Sequence, residues 1–350
     1  MIEGQGEGGV RYVSGRKKGI SRRRRGSGFA YYDPSGELIP DGPVRERIVH
    51  LAIPPAWENV WICPSAHGHL QACGTDARGR RQYLYHPLYR AMQDVAKFER
   101  LYDFAMNLAR IRRKVRQDLS LRGLPRDKVL AAVVRLLDSS YIRIGNERYE
   151  KQNDSFGITT MRSKHLVVSR NELVLRFPGK GGQKHRIEIK DVQLAKVLKR
   201  CDELPGRRLL QYRENGDQGV IHSEDVNEYL SQISGARFTA KDFRTWGGSV
   251  RATQRLIALG PAESASQRRR NIVDAYRYAA EALGNTAAIC RKYYVHPAIT
   301  LAYEEGRLEQ MISLAARRKL PGLKKIERGV AGVVKHSSDE ALRRWIADAA

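Results

Sequence analysis

Two adjacent tyrosines, Tyr293 and Tyr294, stand in "GNTAAICRKYYVHPAI", Gly284 to Ile299, directly behind Arg291 and Lys292. A phenol among strong cations could attack a phosphodiester, and that chemistry makes three demands. A phenol has a pKa of about 10, so at neutral pH only about one in a thousand is phenolate. The attacked phosphate gains charge in its transition state. Guanidinium groups meet that need, because they donate two hydrogen bonds in a fixed fork and never deprotonate. The 5′ oxygen leaves poorly unless a general acid protonates it, which contributes roughly a hundred- to ten-thousandfold in rate. A lysine whose pKa is lowered by neighbouring arginines could supply that proton.

The chain offers a residue for each role at an end or a turn. Arg143, in "YIRIG", is expected in the last turn of a helix that Gly145 stops. Lys180 sits on a glycine-rich hairpin tip, "PGKGGQ". Arg244 follows the capping signal "TAKD" in the first turns of a helix, whose positive end favours an anion. Gly247 and Gly248 permit close approach of another backbone there, although glycine inside a helix costs about 1 kcal/mol. Gly284 ends one helix, Asn285 or Thr286 caps the next, and Pro297 closes it. On a helix the two tyrosines point about 100° apart, so only one can face a cleft. Taken singly, each residue has an ordinary explanation: an arginine as a surface charge, a tyrosine as core, Lys180 as a solvated turn residue.

The elements that must position these residues follow from periodicity. Residues 1–28 are rich in glycine and arginine and are expected to form a flexible basic arm ending in "SRRRRGSG". From residue 29 to about 92 short alternating runs separated by "DPSG" and "DARG" predict a small, mostly β domain. From about 93 to 318 the spacing becomes helical, interrupted by "KHLVVS", "ELVLRF" and "KHRIEIK", which predict three strands. A basic tail from 319 to 350 has a possible last helix at "SDEALRRWIADAA". The fold class is therefore α+β.

Composition bounds the partner. With 63 Lys+Arg against 38 Asp+Glu, the net charge is +25, which implies a polyanion, by default nucleic acid. No apolar run reaches membrane-spanning length and no leader is visible, so a cytosolic location is expected. The four cysteines carry no CxxC spacing and read as reduced thiols. Cys63, His67, His69 and Cys73 could ligate zinc, but their spacing matches no common zinc module and the alternation around "PSAHG" reads as a β-hairpin.

Order and spacing carry more than any single residue. "IPPAWENVWICPS", "GTDARGRRQYLYHPLYR", "YIRIGNERY", "FPGKGGQKH", "KDFRTWGG" and "NTAAICRKYYVHP" run in sequence through residues 29–320. In this the chain resembles the type IB DNA topoisomerases of the compact bacterial and poxvirus-like branch. The resemblance implies a catalytic fold shared with tyrosine recombinases and a clamp of two domains on duplex DNA. It implies relaxation of supercoils through a 3′-phosphotyrosyl link by a monomer near the nucleoid, with no cofactor, metal or nucleotide. It assigns Tyr294 as nucleophile, since the family's nucleophile directly precedes the "VHP"-like ending, with Arg143, Lys180, Arg244 and Asn285 around the phosphate. Asn285 departs from members that use histidine there; its amide can donate a hydrogen bond but cannot titrate. "RRQYLYH" resembles a β segment that enters the major groove, giving Gln82, Tyr83 and Tyr85 as candidate DNA contacts, with an ordinary half-buried strand as the other reading. Lys241 and Tyr149 are further candidate phosphate contacts. A tyrosine recombinase and a non-enzymatic DNA-binding protein are the alternatives.

Overall fold

The structure is a computed structural model that describes residues 10–15, 17–169, 172–318 and 320–347. The chain divides into two compact units, residues 1–96 with 343–350, and residues 97–342.

The first unit is a five-stranded antiparallel sheet. Its strands are β1 (Ile20–Arg25), β2 (Gly28–Tyr32), β3 (Glu58–Ile62), β4 (Leu70–Thr75) and β5 (Arg81–Tyr85), in the order β2-β1-β3-β4-β5. Helix α1 (Pro43–His50), started by proline at its first position, adds Ile48 to a core of Ile20, Tyr31, Ile53, Val60, Ile62 and Ala72. The arginine run departs from the expected flexible arm. Residues 20–25 form a strand paired with β2 on one side and β3 on the other. Two of its four arginines have partners nearby, while Arg24 and Arg25 are exposed. The Arg22 guanidinium donates to the carbonyls of Ile53, Pro54 and Trp57 at 3.1, 3.0 and 2.6 Å and lies over Phe29, while Arg23 lies over Tyr32. Strands β3 and β4 make the expected hairpin, and among the described residues no cluster of three His, Cys, Asp or Glu side chains is placed to hold a metal. All four cysteines are buried free thiols.

Helix α2 (Pro87–Leu119) runs through the boundary into the second unit, which is mostly helical. Helix α3 (Arg126–Ser140) ends earlier than the expected stop at Gly145. Tyr141 takes the left-handed conformation, φ 56°, and its N–H closes on the Leu137 carbonyl. Chain direction changes there, so Arg143 lies beyond the helix on an irregular strap rather than in its last turn. After α4 (Glu147–Asn153), the predicted three strands appear as β6 (Leu166–Val168), β7 (Leu173–Pro178) and β8 (Lys184–Ile189), antiparallel and in sequence order. Residues Lys180–Gly182 form the tight turn between β7 and β8, with Gly181 and Gly182 at φ 78° and 77°, where a side chain would be strained.

Helix α5 (Val192–Asp202) precedes a hairpin that the sequence reading passed over, β9 (Gln211–Glu214) and β10 (Asp217–Val220). Its signal was Asn215-Gly216, both at positive φ. Then follow α6 (Ser223–Ser234), α7 (Ala240–Leu259), α8 (Ala265–Leu283), α9 (Ala287–Tyr293), α10 (Pro297–Glu304), α11 (Leu308–Ala316) and α12 (Lys325–Ala347). The last helix starts thirteen residues before the expected Ser338, because Val330, Ala331, Val333 and Val334 bury a face in the main core. That core centres on α3 and α7, with Phe104, Phe243 and Trp246 fully buried. Arg112 of α2 ties it across, donating to Asp138 of α3 at 2.8 Å and Glu327 of α12 at 2.7 Å. No helix among the described residues is long and apolar enough to cross a membrane.

Candidate active site

The strap after α3 is fastened by backbone bonds. The Arg143 carbonyl accepts from Ile158 N–H at 2.9 Å and the Ile144 carbonyl from Thr159 N–H at 2.7 Å. Two glycines make this approach possible: a Cβ on Gly157 would fall 2.4 Å from the Gly145 nitrogen. Arg143 is thereby aimed at the end of α8. It donates to the Gly284 carbonyl at 3.3 Å and to Asn285 Oδ1.

Arg244 comes from the second turn of α7, which opens with the predicted capping box between Thr239 and Asp242. It is only 4% exposed. One η nitrogen donates to the Tyr141 carbonyl and the other to the Leu283 carbonyl at 2.9 Å, so the cation sits at the negative ends of α3 and α8. Among the described residues neither Arg143 nor Arg244 has a carboxylate partner, and Arg244 Nε and Asn285 Nδ2 are buried with no hydrogen-bond partner. Burial, and after it the Arg244 charge, lowers the pKa of Arg143. Two desolvated guanidiniums and an unused amide N–H, close together and unneutralised, are the donors that binding an anion would call for.

Tyr294 lies against this pair, its ring 4.9 Å from Arg244 Cζ. Helix α9, capped by Thr286, stops at Tyr293, and Tyr294 leaves it with φ −130° and ψ −19°. The two tyrosines therefore do not share a helix as expected, and Pro297 opens α10 instead of closing α9. The outcome for the cleft is still selective. Tyr294 lines it, whereas the Tyr293 ring has Lys97 and Lys292 each 5.5 Å from its centroid. Gly248 explains how α7 reaches Tyr294: a Cβ there would be 2.6 Å from the Tyr294 carbonyl oxygen. Gly247 makes room for the Tyr141 ring in the same way.

Behind Tyr294 is a buried polar relay that sequence reading missed. Ser249 Oγ accepts from His296 N–H at 2.9 Å and has its own proton between the Thr245 carbonyl at 3.0 Å and the Tyr294 carbonyl at 3.4 Å. His296 Nδ1 accepts from Ala298 N–H, capping α10, and Nε2 meets Ser338 Oγ of α12 at 3.2 Å. Burial, and after it the Lys97 charge, pushes the His296 pKa down to about 3, so the ring is neutral at physiological pH. Its sequence signal was His-Pro at a helix start.

Arg143, Lys180, Lys241, Arg244 and Tyr294 line one cleft of about 270 Å3, with Gly145, Gly157 and Phe156 in its wall. Asn285 joins them through Arg143. His185, half-buried beside Arg143, Lys180 and Arg244, is a second neighbour that sequence reading left unassigned, although it ends the quoted "FPGKGGQKH". Tyr149 falls on α4, but its side chain lies outside the described residues.

On β5, at the sheet edge, the three candidate DNA contacts do not share a face. Tyr83 and Tyr85 lie on one side, rings 6.1 Å apart and nearly parallel, and Tyr83 is exposed. Gln82 lies on the opposite side with Leu84, which packs on the core, and its amide donates to Asp76 at 2.8 Å. Tyr85 continues into a cluster with His69, Tyr89 and Tyr12.

Residues 87–315 match the family described as eukaryotic DNA topoisomerase I, catalytic core, and residues 28–76 match the bacterial DNA topoisomerase IB N-terminal domain. DNA topoisomerase 1B of Acanthamoeba polyphaga mimivirus is 32% identical over 287 residues, which cover 79% of this chain and 85% of that protein. The vaccinia virus (strain Copenhagen) DNA topoisomerase 1B is 26% identical over 286 residues, 78% of this chain and 86% of that protein. With a family match across most of its length and a basic cleft that brings a tyrosine against two guanidiniums, the chain belongs to the type IB DNA topoisomerases.

Proposed function

We propose that this protein relaxes supercoiled duplex DNA by breaking and rejoining one strand through Tyr294. The observation that carries the reading is the Tyr294 ring against Arg244 in a cleft shared with Arg143, Lys180 and Lys241. The Tyr294 oxygen attacks phosphorus, the P–O5′ bond breaks, and the 3′ phosphate remains esterified to the tyrosine. Arg143 and Arg244 hold the non-bridging oxygens as charge develops, and the buried Asn285 Nδ2–H donates a further bond. Lys180 protonates the departing 5′ oxygen. The free end then rotates about the intact strand, and the 5′ hydroxyl attacks back to regenerate the phosphodiester and the phenol.

One phosphodiester is exchanged for another, so the scheme consumes no ATP. Lys241 at the start of α7 and the Tyr83–Tyr85 face of β5 serve as DNA contacts outside the chemistry, as does Tyr149; Gln82 needs to release Asp76 before it reads a base edge. The enzyme works as a monomer on DNA within the cytoplasm. A tyrosine recombinase is disfavoured by the match of residues 28–76 to a topoisomerase N-terminal domain. The test is relaxation of negatively and positively supercoiled plasmids lacking any recognition site, without ATP or magnesium. Relaxation by the intact chain and none by Tyr294→Phe supports the reading; equal relaxation by both defeats it.

A further inference from the structure

His185 occupies a joint between two segments that the reaction needs in register. It lies on β8, just past the turn that carries Lys180, with its ring stacked on Phe177 at a centroid distance of 5.0 Å and an interplanar angle of 21°. Two glycines close on that ring. A Cβ at Gly179 would fall 2.5 Å from it and a Cβ at Gly284 2.2 Å from it. Gly179 immediately precedes Lys180, and Gly284 immediately precedes Asn285. At φ −96° the backbone of Gly179 suits any residue, so the imidazole itself is what excludes a side chain there.

The two sides of the joint differ in how firmly they are held. On the α8 side, Gly284 N–H donates to the Glu281 carbonyl at 3.3 Å and Asn285 N–H to the Ala280 carbonyl at 3.0 Å, which fixes both residues to the helix end. The backbone bonds of the Lys180 turn close on the turn itself, from Gly179 N–H to Gln183 and from Gly182 N–H to Gly179. Pro178, just before the turn, accepts from Phe156 N–H at 2.8 Å, and the His185 ring adds a bridge from the turn to the end of α8. Burial, and after it the Arg143 and Arg244 charges, lowers the His185 pKa, which keeps the ring uncharged among cations.

From this geometry we propose that His185 is a positioning residue for Lys180: its ring docks the β7–β8 turn against the end of α8 and so sets the lysine within reach of the departing 5′ oxygen. The proposal rests on the reading of Lys180 as general acid. In that step the Tyr294 phenol gives its proton to solvent as its oxygen bonds to phosphorus, the P–O5′ bond breaks, and the Lys180 ammonium proton goes to O5′. If the bridging oxygen is replaced by sulfur, the leaving thiolate needs no proton. A defect confined to proton delivery then disappears, while a defect in folding, DNA binding or Tyr294 placement persists.

The experiment uses the full-length chain and a duplex built around a cleavage site mapped with the wild-type protein, made with either a 5′-bridging oxygen or a 5′-bridging sulfur. Single-turnover formation of the covalent adduct is measured at saturating protein. His185→Ala is expected to slow cleavage of the oxygen duplex by roughly 10- to 100-fold, within the range general acids supply, and to recover to near the wild-type rate on the sulfur duplex. Gly179→Ala, which strikes the same ring from the other side, is expected to show the same dependence on the leaving atom. Equal slowing of His185→Ala on both duplexes overturns the proposal. Lys180→Ala separates the two levels: if it recovers on sulfur and His185→Ala does not, only the positioning role fails; if it does not recover, the general-acid reading itself fails.

Discussion

At the scale of single residues, the cleft gathers cationic donors, and the proposed reaction depends on the shape of those donors as well as on their charge. Arg244 is held by two carbonyls at helix ends, with Nε buried and unused. A lysine there keeps the charge but loses the fork. Arg244→Lys is expected to lower the rate of covalent adduct formation by about 100- to 1000-fold while plasmid binding at low salt is retained, checked by pairing a quench assay with a filter-binding assay. Tyr293→Phe is expected to form adducts normally, because its ring lies between Lys97 and Lys292 outside the cleft. The choice of tyrosine was legible only from the order of motifs; spacing alone left both open. What spacing could not supply was the reason. Helix α9 ends one residue early, and no property of "KYYVHP" announces that Tyr294 has left it.

At the scale of elements, close backbone approaches and one buried histidine hold the Tyr294 segment. Gly248→Ala improves the intrinsic helix propensity of α7 yet sets a methyl 2.6 Å from the Tyr294 carbonyl oxygen. It is expected to cut cleavage at least about tenfold without lowering the melting temperature of the free protein by more than a few degrees. His296 makes stability depend on pH. Its pKa of about 3 in the folded state lies below the ordinary imidazole value of about 6.5, so the unfolded chain binds the proton more tightly. Its contribution is complete above about pH 6.5 and is lost as pH falls toward 3. His296→Asn keeps an acceptor to cap α10 and does not titrate; its urea midpoint should fall less between pH 7.5 and 5 than that of the wild type. The helices, the three-strand insertion and the caps at Thr239 and Gly284 were readable because periodicity and capping are local. The strand at Ile20–Arg25 was not, because Arg22 and Arg23 are held by carbonyls more than thirty residues away and by rings on the paired strand. The left-handed stop at Tyr141 was also hidden, since the residue that normally signals it is glycine.

At the scale of the whole molecule, a net charge of +25 makes binding a counterion-release process. Non-covalent affinity of the Tyr294→Phe protein for duplex DNA should fall by on the order of 10³ to 10⁵ between 50 and 200 mM salt if about six to ten phosphates are neutralised. A shallow dependence would mean that the excess charge serves something other than a phosphate backbone. Charge of this kind was plain from composition, but it cannot distinguish a binder from an enzyme; the match to the topoisomerase catalytic core does that, and the fold brings residues 143, 180, 244 and 294 to one cleft. The account's central claim is that the hydroxyl of Tyr294 becomes covalently joined to a broken strand. It is tested most directly by mixing the protein with end-labelled duplex DNA, quenching with detergent, digesting with protease and identifying the residue that carries the nucleotide by mass spectrometry. The expected result is a nucleotide-bearing peptide modified at Tyr294, absent from Tyr294→Phe; a modification on Tyr293, or an adduct that survives in Tyr294→Phe, would contradict it.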